Sequence, residues 1–282
     1  IWEQRYGIIQ PQRTKTNIRY YEDDDLKFVL NVALLNKNGI KISKIAKMSR
    51  REIAEKVAAI SEINFEYGTQ LDALTISMIE MDEYKFDRIV STNIKQLGFE
   101  RTMLEIIYPF LDKLSLLWLT GSINPVQENF ISYLIRQKLI VAIDSEPLWQ
   151  GENVKKYLIY LPEGEKQELS LLFMNYLLKS RRNRVVYIGQ EISLVDLNDA
   201  YKIHEPDYIF TMITETFAKG SVQGYVDKLS KAFPKCKILL SGYQVVAQDV
   251  KPHENVTILK SLEQTMRFLN ENSQYPSNGI SN

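Results

Sequence analysis

The stretch KYLIYLPEGEKQELSLLFMNYLLKS, residues 156–180, decides the fold of the C-terminal half of this chain. It begins with a short apolar run, passes through a charged turn, and continues into a longer run with apolar residues at helical spacing. A strand, a polar turn and a helix in this order are typical of an open α/β sheet, where ligands bind beside such turns. The turn PEGEKQELS, residues 162–170, is therefore the first candidate for a binding site.

The same alternation of strand and helix continues almost to the end of the chain. Short apolar runs predict five strands, at 156–161, 184–189, 207–213, 236–242 and 256–260. Apolar strands separated by helices predict a parallel sheet covered on both faces. We therefore predict a flavodoxin-like Rossmann domain with a parallel five-stranded sheet over residues 151–275, followed by a disordered tail at 276–282.

The middle of the chain, from about residue 69 to residue 146, is a succession of helical patterns. Four runs with apolar residues at i, i+3 and i+4, joined by short turns, predict a four-helix bundle over residues 67–150. Pro109 lies inside the third run, where its ring should distort the helix. The chain is thus multidomain, with α and α/β parts.

The charge of the chain is uneven, although its 282 residues are neutral overall. Residues 1–60 hold twelve basic and seven acidic side chains, so that stretch carries a net charge of +5. A basic N-terminal module suggests a polyanionic partner, although a solvated surface explains the charge equally well.

The compartment is indicated by the cysteine content. Cys236 is the single cysteine and lies in the apolar run CKILL, so a disulfide framework is excluded, which fits a reducing cytoplasm. No run approaches the roughly 20 apolar residues of a membrane span, and no signal peptide is visible. We therefore predict a cytoplasmic protein without a membrane partner.

The N-terminal run IWEQRYGIIQPQRTKTNIRYYEDDD carries aromatic and basic residues in a dense order. The patterns W-E-x-R-Y-G and R-T-x-x-x-x-R-x-Y, with a proline between them, resemble the winged-helix DNA-binding domain of the MerR family of transcription regulators. The resemblance implies a helix that reads the major groove and a wing that binds phosphates. It implies such a domain over residues 1–66, in an incomplete form without the first helix of the helix-turn-helix, and we expect residues before Ile1.

The aromatic residues of this run also suit a purely structural role, since they can belong to a hydrophobic core. Arg13 and Arg19 lie on a predicted extended loop, where a role in a hydrophobic core is not expected. Their position therefore favours contact with DNA. The residues that the resemblance assigns to DNA are Arg5, Tyr6, Arg13, Thr14, Lys15, Asn17, Arg19 and Tyr21.

The end of the bundle carries a tryptophan followed, after nine residues, by Glu128 and Asn129. This spacing resembles the capping module of light-sensing, cobalamin-binding MerR-type repressors, in which a Trp and a Glu-His pair cover the upper face of the corrin. In that family the histidine also becomes a cobalt ligand after photolysis. Here Trp118 and Glu128 are kept, and Asn129 replaces the histidine. An amide is a poor ligand for cobalt, whereas imidazole is a good one.

The turn at 165–170 resembles the E-x-H-x-x-G turn of the cobalamin-binding domain in the same regulators and in corrinoid methyltransferases. Glu165 keeps the first position, Gln167 replaces the histidine that ligates cobalt from below, and Ser170 replaces the glycine. Ser241-Gly242 stands where the family has the Gly-Gly that lets the backbone approach the nucleotide tail, and Thr211-Met212 where it has a strand-end serine. The family's glycine before the second strand is also replaced, by Asn183.

Both histidines that would face cobalt are absent, and His204 and His253 lie outside the predicted pocket. From these losses we predict a regulator that has lost cobalamin and carries no cofactor and no metal. The residues of this degenerate cofactor pocket are Trp118, Glu128, Asn129, Glu165, Gln167, Ser170, Thr211, Ser241 and Gly242.

The predicted function is that of a DNA-binding transcriptional regulator, not an enzyme, because recognisable motifs for catalysis are missing. Its partners would be double-stranded operator DNA, further copies of itself, and an unknown small-molecule or protein effector. Further copies are expected because two half-sites supply affinity that one small domain lacks. Three alternatives stay open. They are a light-responsive, cobalamin-dependent repressor with unusual ligation, a corrinoid carrier of the methyltransferase type, and a protein-interaction module.

Overall fold

The computed structural model describes residues 12–14, 17–20, 23–37, 39–63, 67–119, 123–151, 153–215 and 221–273. The chain forms two compact units, residues 1–134 and residues 135–282. The predicted disordered tail at 276–282 lies outside the described residues. Within the described part of the chain, no helix is both long and apolar enough to cross a membrane.

The first unit begins with a β-hairpin, as expected for a wing. Strand β1 (Gln12–Arg13) pairs antiparallel with β2 (Arg19–Tyr20). The turn is closed because the Thr14 N–H donates to the Ile18 carbonyl at 2.9 Å. Asn17 has φ of 64°, a left-handed conformation that asparagine tolerates better than most residues.

Three helices follow the hairpin: α1 (Asp23–Lys37), α2 (Ile42–Ile45) and α3 (Arg50–Ile63). Ser49 and Glu52 form a capping box at the start of α3, since each side chain accepts a hydrogen bond from the other residue's backbone N–H, at 2.7 and 3.2 Å. Buried apolar side chains join these helices to each other and to Ile76 of the next helix; they are Val32, Leu34, Leu35, Ile45, Ile53 and Val57.

The range 67–150, predicted to be helical, is occupied by successive helices. They are α4 (Tyr67–Ile79), α5 (Glu83–Leu97), α6 (Phe99–Thr102), a π-helical turn (Met103–Ile107), α7 (Tyr108–Leu119) and α8 (Pro125–Asp144). The buried Asn93 amide donates to Gln70 at 3.1 Å and so joins α5 to α4. The ammonium of Lys113 contacts the carboxylate of Asp72 at 2.6 Å and joins α7 to α4.

The π-helical turn ends two residues before Pro109, at the place where the sequence predicts a distortion. Proline has no N–H to donate, and its ring clashes with the carbonyl four residues earlier, that of Glu105. A wider turn accommodates such a clash while the helix continues.

The sheet of the second unit has five parallel strands, which confirms the predicted flavodoxin-like domain. Its strands are β3 (Lys156–Pro162), β4 (Arg184–Ile192), β5 (Tyr208–Met212), β6 (Lys237–Ser241) and β7 (Val256–Leu259). Their order across the sheet is β4-β3-β5-β6-β7, the doubly wound order with a switch point between the first and third strands of the domain. The helices between and after them are α9 (Glu168–Ser180), α10 (Leu194–His204), α11 (Val222–Ala232), α12 (Tyr243–Ala247) and α13 (Leu262–Asn272).

One face of this sheet carries a hydrophobic core. Side chains that alternate along the strands, such as Leu158, Ile209 and Ile238, pack there with the apolar residues of α10 and α11. Helix α9 packs against β3 and β4, with eight consecutive buried residues from Leu171 to Leu178. The parallel sheet is therefore buried on both sides, as its continuous apolar strands predict.

Candidate functional site

The buried carboxylate of Glu165 organises the carboxyl edge of the sheet. Its side chain is 3% exposed. One oxygen accepts hydrogen bonds from the backbone N–H groups of Thr214 and Glu215, at 2.5 and 3.0 Å. The other oxygen accepts from the N–H groups of Lys166 and Gln167, at 3.1 and 3.3 Å. Glu165 thus ties the turn after β3 to the turn after β5, and both of its oxygens are engaged.

Gln167 takes the N-cap position of α9, and its half-buried side chain makes no capping hydrogen bond. The neighbouring Glu168 is engaged by Arg136 of α8, whose guanidinium donates to both carboxylate oxygens at 2.9 and 3.2 Å. Such a two-pronged pair is among the stronger charge-assisted contacts. Glu165 and Glu168 are therefore both committed to contacts within the protein.

A cavity of about 140 Å³ opens between α9, α13 and the carboxyl ends of β5 and β6. Its lining residues are Ser170, Phe173, Met174, Leu177, Phe210, Met212, Ser241, Leu262 and Thr265. The structure thus brings Ser170 and Ser241, two of the predicted pocket residues, into the lining of one cavity together with Met212. The remaining lining residues were not predicted from the sequence. A signal for those of α9 was available, because positions 170, 173, 174 and 177 share one helix face.

The polar groups of this cavity are few. Ser241 Oγ donates to the Leu259 carbonyl at 3.1 Å, and Thr265 Oγ1 donates to the Ser261 carbonyl at 3.0 Å. The hydroxyl of Ser170 makes no hydrogen bond to any described residue. An apolar cavity with one available hydroxyl suits a flat, mainly apolar group that carries a hydrogen-bonding atom.

Thr211 lies on the opposite face of the sheet from the cavity, unlike the prediction. It is the partner of Tyr160 in the pairing of β5 with β3, and side chains alternate along a strand, so Phe210 and Met212 face the cavity instead. The hydroxyls of Tyr160 and Tyr225 meet at 2.6 Å on that opposite face. Burial is the main cause that raises the pKa of Tyr160 well above its ordinary value, and the nearby Tyr225 raises it further.

Gly242 is required by the fold itself. Its φ is +111°, and a Cβ at this position would lie 2.3 Å from the carbonyl oxygen of Ile213. The close approach that the family resemblance assigns to a nucleotide tail is therefore made by the turn between β6 and α12 against the backbone that follows β5.

The predicted bundle residues lie near the ends of two helices of the first unit. Trp118 belongs to α7, Glu128 belongs to the first turn of α8, and Asn129 follows it directly. Asn124 and Gln127 cap α8 by reciprocal hydrogen bonds of 3.0 Å. Glu128 is half-buried, and Asn129 is exposed.

The hairpin brings two of the predicted DNA-binding residues directly opposite each other, since Arg13 pairs with Arg19 across the strands. Directly opposed side chains lie on the same face, and like charges in this arrangement repel. The Arg13 guanidinium donates to Asn17 Oδ1 at 2.7 Å, and Thr14 Oγ1 accepts from the Ile18 N–H at 3.1 Å. The remaining predicted DNA-binding residues lie outside the described residues; they are Arg5, Tyr6, Lys15 and Tyr21.

Comparison with protein families gives two matches along the chain. A family described as MerR HTH family regulatory protein matches residues 1–52, and a family described as B12 binding domain matches residues 70–142. The chain thus combines a MerR-type helix-turn-helix domain with a B12 binding domain, which is the composition of a transcriptional regulator.

Two curated relatives are similar to most of the regulator. The HTH-type transcriptional repressor CarH of Myxococcus xanthus is 25% identical over 237 residues, covering 82% of the regulator and 77% of the relative. The repressor CarA of the same organism is 24% identical over 244 residues, covering 86% and 80%. The regulator is homologous to both.

Among solved structures, the monomethylamine corrinoid protein of Methanosarcina barkeri shares the fold of the regulator. The TM-score is 0.52 at 8% identity, over 78% of the regulator and 99% of that chain. At this identity the likeness concerns the fold alone, and it agrees with the Rossmann-like sheet described above.

The prediction that the regulator carries no cofactor was wrong. It was drawn from the replacement of two histidines, at Gln167 and Asn129, but residues 70–142 match a B12 binding domain. Two missing ligand side chains do not remove a binding domain, because most of the contact area with a large cofactor comes from other residues.

Proposed function

We propose that the regulator is a transcriptional repressor that binds operator DNA and that a corrinoid bound by its C-terminal half controls this binding. The observation that carries the proposal is the cavity between α9 and α13, at the carboxyl edge of the parallel sheet. Ligands of doubly wound domains bind at this edge. The matched repressors and the matched B12 binding domain support both halves of the proposal.

The residues of the cavity fit the nucleotide tail of a corrinoid. Phe173, Met174, Leu177 and Phe210 offer apolar contacts to a flat heteroaromatic base. The Ser170 hydroxyl can donate to a ring nitrogen of that base. Glu165 would hold the two flanking turns in place around the entering tail, because it fastens both of them through backbone N–H groups.

The donor set near the turn does not fit coordination of cobalt by imidazole. Gln167 offers only an amide oxygen, a poor ligand for cobalt. Glu165 and Glu168 are committed, the first to four backbone N–H groups and the second to Arg136. The proposal is therefore a corrinoid that would be held by its tail and ring, with no histidine of this turn to ligate the cobalt.

When bound, an adenosylated corrinoid supplies a cobalt–carbon bond that light can break. The contribution of the chain is to bind the tail, to exclude water from the cavity and to present the N-terminal half to DNA. In the wing, Arg13 and Arg19 would contact phosphates, which also relieves their mutual repulsion. Two or more copies would occupy symmetric half-sites. We place the protein among regulators rather than enzymes because its matched relatives are repressors.

The test is a titration of the purified full-length protein with adenosylcobalamin in darkness, followed by gel filtration with absorbance read at protein and corrinoid wavelengths. We expect corrinoid to elute with the protein in a stoichiometric amount. A parallel binding assay with DNA from the region beside its own gene, in darkness and after green light, should show a change in affinity. Protein that elutes without corrinoid, in any cobalamin form offered, contradicts the proposal.

A further inference from the structure

The amino edge of the parallel sheet, opposite the edge that carries the cavity, is lined with basic residues. Three of the five strands begin with one, since Lys156 opens β3, Arg184 opens β4 and Lys237 opens β6. Lys155 directly precedes β3, and Lys235 lies two residues before β6. We call these five residues the amino-edge patch.

The strand register brings the members of the amino-edge patch close together. Lys156 is the direct partner of Arg184 in the pairing of β3 with β4, so two like charges start from neighbouring strands about 5 Å apart. The ammonium groups of Lys155 and Lys237 lie 5.9 and 5.8 Å from the centre of one ring, that of Tyr208 at the start of β5. The patch is therefore one cationic surface that extends across β4, β3, β5 and β6.

The charges of this patch are not neutralised by carboxylates of the described chain. Four of its members have no carboxylate within ion-pair distance among the described residues; they are Lys156, Arg184, Lys235 and Lys237. The fifth, Lys155, donates to a neutral acceptor, the carbonyl of Asn272, at 2.5 Å. Several other exposed basic residues of the same unit do pair with acids: Lys202 with Asp199, Lys251 with Asp249 and Arg267 with Glu263.

We propose that the amino-edge patch binds phosphates of double-stranded DNA, as a contact of the second unit that is additional to the wing. The proposal rests on the DNA-binding part of the proposed function and is independent of the corrinoid. It assigns to the second unit a share of the affinity for DNA that carries no sequence preference, because phosphates are the same at every base pair.

The shape and chemistry of the amino-edge patch fit the backbone of a duplex. A row across four strands spans about 14 Å, along which one strand of B-DNA presents about four phosphates. Four of the five members are lysines, whose ammonium is a mobile point charge and suits phosphates better than base edges. The aromatic ring within the patch, that of Tyr208, is only 6% exposed. It therefore offers no stacking surface for the bases of a single strand, which favours double-stranded DNA.

The opposite edge of the sheet differs in charge. Exposed carboxylates lie at or just after the carboxyl ends of β3, β4 and β5; they are Glu163, Glu191 and Glu215. A polyanion is attracted to the basic edge and repelled by these carboxylates, so the field of the domain favours the amino edge as the side that meets DNA.

The proposed partner is held by the same chain. Residues 1–52 match the MerR HTH family, so the second unit is covalently joined to a domain that would itself bind operator DNA. A joined module meets the bound DNA at a high effective concentration, so that phosphate contacts too weak to hold DNA alone still add to the affinity.

The experiment compares two double variants of the protein, each of which removes two positive charges from the second unit. Lys235→Gln/Lys237→Gln changes the amino-edge patch. Lys260→Gln/Arg267→Gln is the matched control, because Lys260 follows the last strand at the other edge and Arg267 lies within α13. Binding to a labelled duplex is measured by fluorescence anisotropy at several salt concentrations.

We expect the patch variant to lower the slope of log affinity against log salt by about 1 for each phosphate contact that is lost. The affinity at about 0.1 M salt should fall by about tenfold for each such contact, while the control variant binds as the wild type does. A second patch variant on the neighbouring strands, Lys156→Gln/Arg184→Gln, should have the same effect. Urea unfolding shows whether each variant keeps the stability of the wild type.

The outcomes separate this inference from the proposed function. If the wild-type protein does not bind the duplex, both fail. If it binds and both patch variants keep its slope, only the inference about the amino-edge patch is wrong. An equal loss of slope in the control variant would reveal a general effect of net charge and would also overturn the inference. A lower molar mass of the patch variants at an unchanged slope would mean that the patch contacts a second copy instead of DNA.

Discussion

The carboxylate of Glu165 accepts a hydrogen bond from the backbone N–H of Glu215 at 3.0 Å, across fifty residues of chain. This hydrogen bond fastens the turn after the first strand of the sheet to the turn after the third strand. The two turns flank the switch point at which doubly wound domains bind ligands. Four backbone N–H groups depend on this one carboxylate, so its removal should be felt in both stability and ligand binding.

Replacement of Glu165 by alanine should lower the free energy of unfolding by about 2–4 kcal/mol, because buried N–H groups lose their acceptor. It should also weaken retention of adenosylcobalamin. Urea unfolding and gel filtration with cobalamin measure the two effects. Glu163→Gln, in the same turn but exposed, is the control and should change neither. Equal stability of the two variants would show that the carboxylate is dispensable.

Replacement of Gln167 by histidine should change the absorption spectrum of the bound corrinoid, because imidazole nitrogen is a better cobalt ligand than an amide. The side chain starts from the N-cap of α9, where Gln167 makes no capping bond that the variant would remove. Gln167→Asn keeps the amide and serves as the comparison. A spectrum identical to that of the wild type would mean that this position does not face the metal.

Replacement of Ser170 by leucine should reduce corrinoid binding without unfolding the protein. The new side chain would fill part of a cavity of about 140 Å³, and leucine is a good helix former. Thr211→Val is the control, since Thr211 lies on the other face of the sheet. The dissociation constant of adenosylcobalamin, measured by absorbance titration, is compared between the two variants and the wild type. A stronger effect of Thr211→Val would place the site on that other face.

Replacement of Arg13 or Arg19 by alanine should weaken binding to DNA of any sequence. It should also lower the slope of log affinity against log salt by about 1 for each phosphate that the variant no longer neutralises. Fluorescence anisotropy with a labelled duplex at several salt concentrations measures both quantities. Gln12→Ala, an exposed neighbour on the same hairpin, should leave the slope as it is. An unchanged slope in both arginine variants would remove the wing from the DNA interface.

The thiol of Cys236 should be unreactive in the folded protein. Burial raises its pKa to about 12, so almost no thiolate exists at pH 8, and the thiolate is the reacting form. A colorimetric thiol reagent at pH 8 should therefore label the protein only after unfolding in urea. The raised pKa should fall toward its ordinary value as the chain unfolds, which exposes the thiol. Fast labelling of the native protein would contradict the burial of this residue.

Much of the architecture could be predicted from the sequence, because strand and helix periods and their punctuation are local properties. The five strands lie within a few residues of their predicted bounds, and helices α4 to α8 fall inside the range 67–150 that was predicted to be helical. The parallel sheet could be predicted from the alternation of strand and helix, because two parallel strands must be joined by a crossover element. The hairpin at residues 12–20 also agrees with the predicted wing, whose contact with DNA stays a prediction.

The lining of the candidate site could not be predicted from the sequence, because it is formed by residues that are far apart along the chain. Nothing local shows that α13 supplies a cavity wall opposite α9, or that Thr211 turns away from it while Met212 faces it, because a shift of one residue reverses the face of a strand. The error about the cofactor had the same origin. Single positions, Gln167 and Asn129, were weighed as if they held the ligand alone. Sequence by itself determined the elements and their order; only the packing of those elements decided which side chains share a cavity, since that depends on contacts between distant segments.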